Sequence, residues 1–171
     1  MKELLRAAFS QFEKNQIALV DAELLLAHLL GVSRKQIHSQ LIELPEDERE
    51  KISAEYNELI QQRLLGRPVQ YITASAPFRY LDLAVGEGVL IPRPETELIV
   101  DRVIGVLNSS SDKDLPKSVI DLGAGSGAIS IAIASEALLK GLKVTVVAVE
   151  KSPEAALWLN KNIAKYDLPI R

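Results

Sequence analysis

The 171 residues suffice for one large domain or two small ones, and the balance of 47% hydrophobic to 25% charged residues is that of a folded globular chain. A formal net charge of −3 gives no whole-molecule attraction to nucleic acid, so no direct sequence-specific nucleic-acid binding is expected. The absence of cysteine excludes disulfides and thiolate metal sites, and only His28 and His38 remain as imidazoles. Neither has a carboxylate or second histidine at metal-ligand spacing, so no metal site is expected. The start, Met1-Lys2-Glu3, opens directly into a helical pattern without a signal-peptide core. The longest apolar runs, residues 24–27 and 144–149, are too short to span a bilayer; the expectation is a cytoplasmic protein with no membrane contact.

The first third predicts four short helices. Leu4, Leu5, Ala8, Phe9 and Phe12 recur at helical spacing. A second helix follows Asp21 as its N-cap, runs through Leu24, Leu25, Leu26, Leu29 and Leu30, and stops at Gly31. Ser33 with Gln36 makes a capping-box pattern for a third. Pro45 and the acidic run Glu46-Asp47-Glu48 suit the start of a fourth, with Ile52, Tyr56, Leu59, Ile60 and Leu64 as its buried stripe. Residues 1–68 are thus expected to form a small helical bundle. Lys51, Arg63 and Arg67 read as solvated helix charges.

The pattern changes at Pro68. Leu81, Leu83 and Val85 alternate with Asp82 and Ala84, and Gly86-Glu87-Gly88 turns the chain into Val89-Leu90-Ile91, which predicts a hairpin connector within 69–92. Pro94 then falls at the first position of a helix continuing through Leu98, Ile99, Val103 and Val106. Residues 108–117 read as an exposed polar loop. A strand at 118–122, a helix at 128–140, a strand at 144–149 and a helix from Pro153 complete the chain. The β-branched run of the second strand suggests cover on both faces. The order βαβα over 93–171 predicts a parallel, Rossmann-like sheet, giving an α/β fold class overall. Trp158 and Tyr166 are assigned to packing on the last helix.

The chemistry is concentrated in Asp121-Leu122-Gly123-Ala124-Gly125-Ser126-Gly127, between a strand and a helix. Glycines there allow a tight turn and close approach of backbone to a ligand, and the following helix start offers N–H groups to an anionic or polar group. Glu150 stands at the C-terminal end of the next strand, where a carboxylate can accept both hydroxyls of an adenosine ribose. Gly123, Gly125 and Ala128 also satisfy the dinucleotide pattern G-x-G-x-x-G/A, so a nicotinamide cofactor stays open. Asp121 favours the other alternative: a carboxylate at that point opposes a pyrophosphate but can orient the ammonium of a methionine moiety. The cofactor expected is S-adenosylmethionine, with S-adenosylhomocysteine as its product. Asp121, Gly123, Ala124, Gly125, Ser126, Gly127 and Glu150 form the expected site.

The strings G-V-L-I-P-R-P-E-T-E at 88–97 and V-I-D-L-G-A-G-S-G-A-I at 119–129 resemble the peptide chain release factor glutamine methyltransferases. So do D-A-E-L-L-L at 21–26, G-R-P-V-Q-Y-I at 66–72 and A-V-E-K-S-P-E-A at 148–155. The resemblance implies methyl transfer to the side-chain amide nitrogen of a glutamine in a release factor, with the helical domain helping to engage that protein. It also implies that Arg93 and Thr96 lie near the active-site mouth; prolines on both sides restrict the Arg93 backbone, although an ion pair with Glu95 or Glu97 accounts for the residue equally well. The family's Asn-Pro-Pro-Tyr motif, which orients the amide for attack, does not occur, so no catalytic residue is assigned within this chain. The expectation is therefore an incomplete methyltransferase domain, inactive by itself. Two further alternatives remain: methylation of a ribosomal-protein glutamine, and a non-catalytic module that binds release factors.

Overall fold

A computed structural model describes residues 1–38, 47–109 and 116–171, which form two compact units, Met1–Thr73 and Ala74–Arg171. Pro45 and Glu46 of the anticipated helix start, and most of the polar loop anticipated at 108–117, lie outside the described residues.

The first unit is helical: α1 (Lys2–Lys14), α2 (Leu19–Leu30), α3 (Arg34–His38), α4 (Arg49–Leu64) and a single turn, α5 (Val69–Ile72). Its core is the side chains of Phe12, Leu25, Leu26, Tyr56 and Ile60, from three helices whose apolar residues recur at helical spacing. The Tyr56 hydroxyl donates to the Ala22 carbonyl at 2.9 Å, so its polar end is satisfied within that core; burial, then the charge of Glu23, pushes the phenol well above its ordinary pKa.

Gly31 ends α2 in the left-handed conformation, at φ 63°. The capping box of α3 is present, with the Gln36 carboxamide oxygen accepting from the Ser33 amide at 2.9 Å and Ser33 Oγ accepting from the Gln36 amide at 3.3 Å. Asp21 is not the N-cap of α2, however. The helix starts at Leu19, with Ala18 in the capping position, and Asp21 is buried in the first turn against Arg63, 2.7 Å away. Arg63 is correspondingly no solvated surface charge; it ties α4 to α2.

The second unit contains β1 (Ser75–Phe78), β2 (Leu81–Ala84), a 3-10 turn at Pro94–Thr96, α6 (Glu97–Ser109), β3 (Lys117–Leu122), α7 (Ala128–Leu139), β4 (Val144–Val149) and α8 (Pro153–Tyr166). The hairpin expected from Leu81 to Ile91 is displaced. β2 pairs antiparallel with the upstream β1 through the two-residue loop Arg79-Tyr80, whereas Val89 to Ile91 form no strand. The glycines that suggested a turn there serve close packing: a Cβ on Gly86 would come within 2.3 Å of the Trp158 ring, and one on Gly88 within 2.6 Å of Glu154 Cβ.

Arg79 holds the true hairpin loop. It adopts φ 52°, a left-handed conformation that costs a non-glycine residue about 1–2 kcal/mol. Its guanidinium pairs with Asp101 at 2.8 Å and bidentately with Glu136, while its amide donates to the Glu97 carboxylate at 2.9 Å. The loop is thereby fastened to α6 and α7.

β3 and β4 run parallel in the register Asp121 to Ala148 and Leu122 to Val149. Phe78, Leu83, Val100, Ile104, Ile131, Ile133 and Val146 form the core of this unit. On α6 the inward residues are Val100, Ile104 and Leu107, while the anticipated Leu98, Ile99 and Val106 face outward. The sheet is covered on one face only: Ile120 is 63% and Leu122 77% exposed, and within β4 only Val146 is fully buried. Cover on both faces, suggested by the β-branched run, is not what the described residues provide. Beyond α8, Ile170 makes an isolated parallel bridge to Val146, and the Arg171 carbonyl accepts from the Ala148 amide at 2.7 Å, so residues 170 and 171 lie alongside β4.

Candidate functional site

Parallel pairing delivers the ends of β3 and β4 side by side, and the segments leaving those two ends build the site. After β3 the chain turns back at once: the amides of Gly123 and Ala124 both donate to the Val149 carbonyl, at 2.8 and 3.0 Å. Gly123, Gly125 and Gly127 all take positive φ, at 78°, 56° and 84°. Three such residues within five positions favour glycine, because a side chain in the left-handed region crowds its own backbone at a cost of about 1–2 kcal/mol each.

The three glycines differ in their surroundings. A Cβ on Gly123 would meet nothing within 4 Å, and one on Gly125 only Val89 at 3.9 Å, so the backbone at these two positions borders open space. Gly127 is closed in, with Leu159 at 2.7 Å and Ile131 at 3.0 Å from the position of a Cβ. It allows α7 and α8 to meet, whereas Gly123 and Gly125 leave room for a ligand against the chain. Between them Ala124 and Ser126 are buried, and the Gly127 amide closes the turn on the Ala124 carbonyl at 2.8 Å.

Glu150 comes directly after β4 and reaches across to the loop. Its Oε2 accepts from the Gly125 amide at 2.8 Å, and its Oε1 accepts from the amides of Lys151 and Ser152, both at 2.8 Å. Donation by Ser152, then by Gly125, holds the carboxyl below the usual carboxylate range. Asp121, the last inward residue of β3, is buried and accepts from the Ser130 hydroxyl of α7 at 2.5 Å. A carboxylate on each strand end therefore flanks an open stretch of glycine backbone. This donor and acceptor set fits a ligand carrying a hydroxylated ring and a cationic group better than it fits a pyrophosphate.

Arg93 is exposed and caps the 3-10 turn, its carbonyl accepting from the Thr96 amide at 3.0 Å. Among the described residues its side chain forms no ion pair with Glu95 or Glu97, and the Thr96 hydroxyl has no hydrogen bond. Glu97 is instead engaged by Arg79. His28 is exposed, and His38 lies 3.2 Å from Glu23 at the surface. No set of three or more acidic or imidazole groups is placed to hold a metal among the described residues.

Residues outside the motif that shape the site were missed in the sequence, and the best defined of them is on α8. Asn162 of α8 is fully buried. Its amide nitrogen donates to the carbonyls of Ser126 and Ala84, both at 2.9 Å, and its oxygen accepts from the Ala84 amide at 2.7 Å. One side chain thus ties the glycine loop to β2. The signal available was its position in the buried stripe Ala155, Leu159, Asn162, where an amide has to find internal partners. Trp158 and Tyr166 pack as expected, the indole N–H donating to the Glu87 carbonyl at 3.0 Å and the phenol oxygen accepting from the Asp82 amide at 2.7 Å.

A helical unit followed by helices around small sheets, with a glycine turn at the end of a parallel strand pair, defines a mixed α/β protein consistent with part of a methyltransferase fold. Comparison with known proteins narrows the class. Residues 3–73 match the family model of the PrmC N-terminal domain. The chain is 41% identical over 145 residues to a release factor glutamine methyltransferase of Bifidobacterium longum, covering 85% of this chain and 47% of that protein. It is 36% identical over 166 residues to that of Corynebacterium glutamicum, covering 96% and 54%, and 35% identical over 170 residues to that of Burkholderia pseudomallei, covering 99% and 50%. Over most of its length the chain is similar to release factor glutamine methyltransferases, and it spans about half the length of the curated relatives it matches.

Proposed function

We propose that this chain supplies the methyl-donor half of a protein-glutamine methyltransferase centre acting on peptide chain release factors. On this reading residues 74–171 are the first part of a Rossmann-like class I methyltransferase domain, and residues 1–73 help engage the protein substrate. The observation that carries the cofactor assignment is the Glu150 carboxylate standing 2.8 Å from the Gly125 amide, beside glycine backbone that borders open space.

In this reading Glu150 accepts the ribose hydroxyls of S-adenosylmethionine. The glycine backbone at Gly123 and Gly125, with Ala124 between them, Ser126 after them and Gly127 fixing the helix start, lies against the donor. Asp121 faces its ammonium group. Bound there, the cofactor supplies an electrophilic methyl group on sulfonium sulfur. Arg93 and Thr96, exposed or half-buried and without side-chain partners among the described residues, are assigned to the mouth of the site. An amide nitrogen is a poor nucleophile, and the sequence carries no Asn-Pro pair to orient one.

The proposal therefore separates binding from chemistry. Calorimetry of the chain with S-adenosylhomocysteine should give a one-to-one isotherm, and NAD none. Incubation with radiolabelled S-adenosylmethionine and a release factor should give no transfer. Binding of NAD in place of the homocysteine derivative would overturn the cofactor reading. Methyl transfer by the chain alone would overturn the assignment of amide orientation to the missing motif.

A further inference from the structure

α7 is almost wholly apolar on its buried side, where Ala128, Ile131, Ala132, Ile133, Ala134 and Ala137 enter the core. Ser130 interrupts this run with a hydroxyl at 0% exposure. A buried hydroxyl without a partner is costly, and in a helix serine commonly returns its proton to the carbonyl one turn back. Here the carbonyl four residues earlier, that of Ser126, accepts from Asn162, and the Ser130 hydroxyl reaches out of the helix to Asp121 Oδ2 at 2.5 Å. No other side-chain hydrogen bond to Asp121 is made among the described residues, and no buried side-chain oxygen there lacks a partner. Oδ1 is therefore the oxygen that solvent reaches.

We infer that Ser130 is a positioning residue for the methyl donor: by holding Oδ2, it fixes the Asp121 carboxylate with Oδ1 presented to the ammonium group of the ligand. This inference rests on the donor reading proposed above. It adds a residue outside the glycine loop and predicts which part of the ligand that residue controls. An unfastened carboxylate would have to give up rotational freedom on binding, and would lose the charge-assisted geometry that favours an ammonium. The adenosine end, served by Glu150 and the glycine backbone, is independent of Ser130.

Two probes separate the ends of the ligand. S-adenosylhomocysteine and 5′-methylthioadenosine share the adenosine and the thioether, but only the first carries the ammonium and carboxylate. Titration of both into the wild-type chain and into Ser130→Ala should show S-adenosylhomocysteine weakened roughly tenfold, the equivalent of about one charge-assisted hydrogen bond, with methylthioadenosine unchanged. A merely structural serine would weaken both by the same factor or neither, and either result overturns the inference while leaving the donor reading intact. A wild-type chain that binds neither probe overturns the donor reading, and this inference with it. If Ser130→Ala is too unstable to titrate, Ser130→Cys keeps the side-chain shape with a weaker donor and is judged by the same ratio.

Discussion

Replacing Asn162 by alanine tests whether the glycine loop is held from α8. The substitution removes three hydrogen bonds of 2.7 to 2.9 Å from a fully buried position. It leaves one amide, that of Ala84, and two carbonyls, of Ala84 and Ser126, without their partner. An unsatisfied buried group costs about 1–3 kcal/mol, the lower figure applying to carbonyls, which keep a second lone pair. The sum is about 3–5 kcal/mol, a large share of the ~5–15 kcal/mol that stabilises a typical domain. Urea unfolding reads it directly, because the chain has a single tryptophan and Trp158 lies on the same helix. With a urea slope of about 1–3 kcal/mol/M, the midpoint of the fluorescence transition should fall by about 2 M. A loss below about 1 kcal/mol would refute the reasoning, since it would mean that the three backbone groups do not depend on the amide.

The other predictions concern the loop and the two charge clusters. Gly127→Ala forces a Cβ to within 2.7 Å of Leu159 at φ 84° and should cost about 2–4 kcal/mol in thermal melts. Gly123→Ala meets nothing within 4 Å and should cost only the backbone strain of about 1–2 kcal/mol; equal losses would contradict the division of roles between the two glycines. Arg63→Met leaves the Asp21 carboxylate buried and unpaired, and chemical unfolding of the helical unit should show a loss of about 2–3 kcal/mol, with much of it recovered in the double variant with Asp21→Leu. The Glu150 carboxyl titrates below its ordinary value of 4.5 in the folded chain, so the folded state binds fewer protons in acid than the unfolded one. Its contribution to the loop is therefore complete above the usual carboxylate range and is lost as pH falls through the lowered value. The Gly125 amide shift in an NMR titration should track that step and become flat in Glu150→Gln.

What the sequence made legible was local. The β3–loop–α7–β4 order could be read because β-branched runs, closely spaced glycines and an apolar helix fall within 33 residues, from Lys117 to Val149. The Ser33–Gln36 box and the Gly31 stop were legible because their partners lie within one turn. What escaped was set by distant partners. Asp21 reads as an N-cap until Arg63, 42 residues on, is brought against it. Gly86 and Gly88 look like a hairpin turn, yet their lack of side chains is needed by α8, some seventy residues downstream. The true hairpin loop carries arginine and tyrosine, which give no turn signal; Arg79 is held at positive φ by carboxylates on two helices. Within the candidate site, the loop and the neighbouring Glu150 were legible, whereas the contacts of Asn162 and Ser130 were not, since a polar residue on an apolar helix does not name its partner.

The central claim is that the loop from Gly123 to Gly127 and Glu150 form one methyl-donor cradle. A backbone amide NMR titration of the chain with S-adenosylhomocysteine tests it most directly. Shifts should be concentrated at Gly123, Gly125, Glu150 and the start of α7, saturating at one equivalent, with no such pattern for NAD. Saturable binding whose shifts fall elsewhere, or the same pattern produced by NAD, would contradict it.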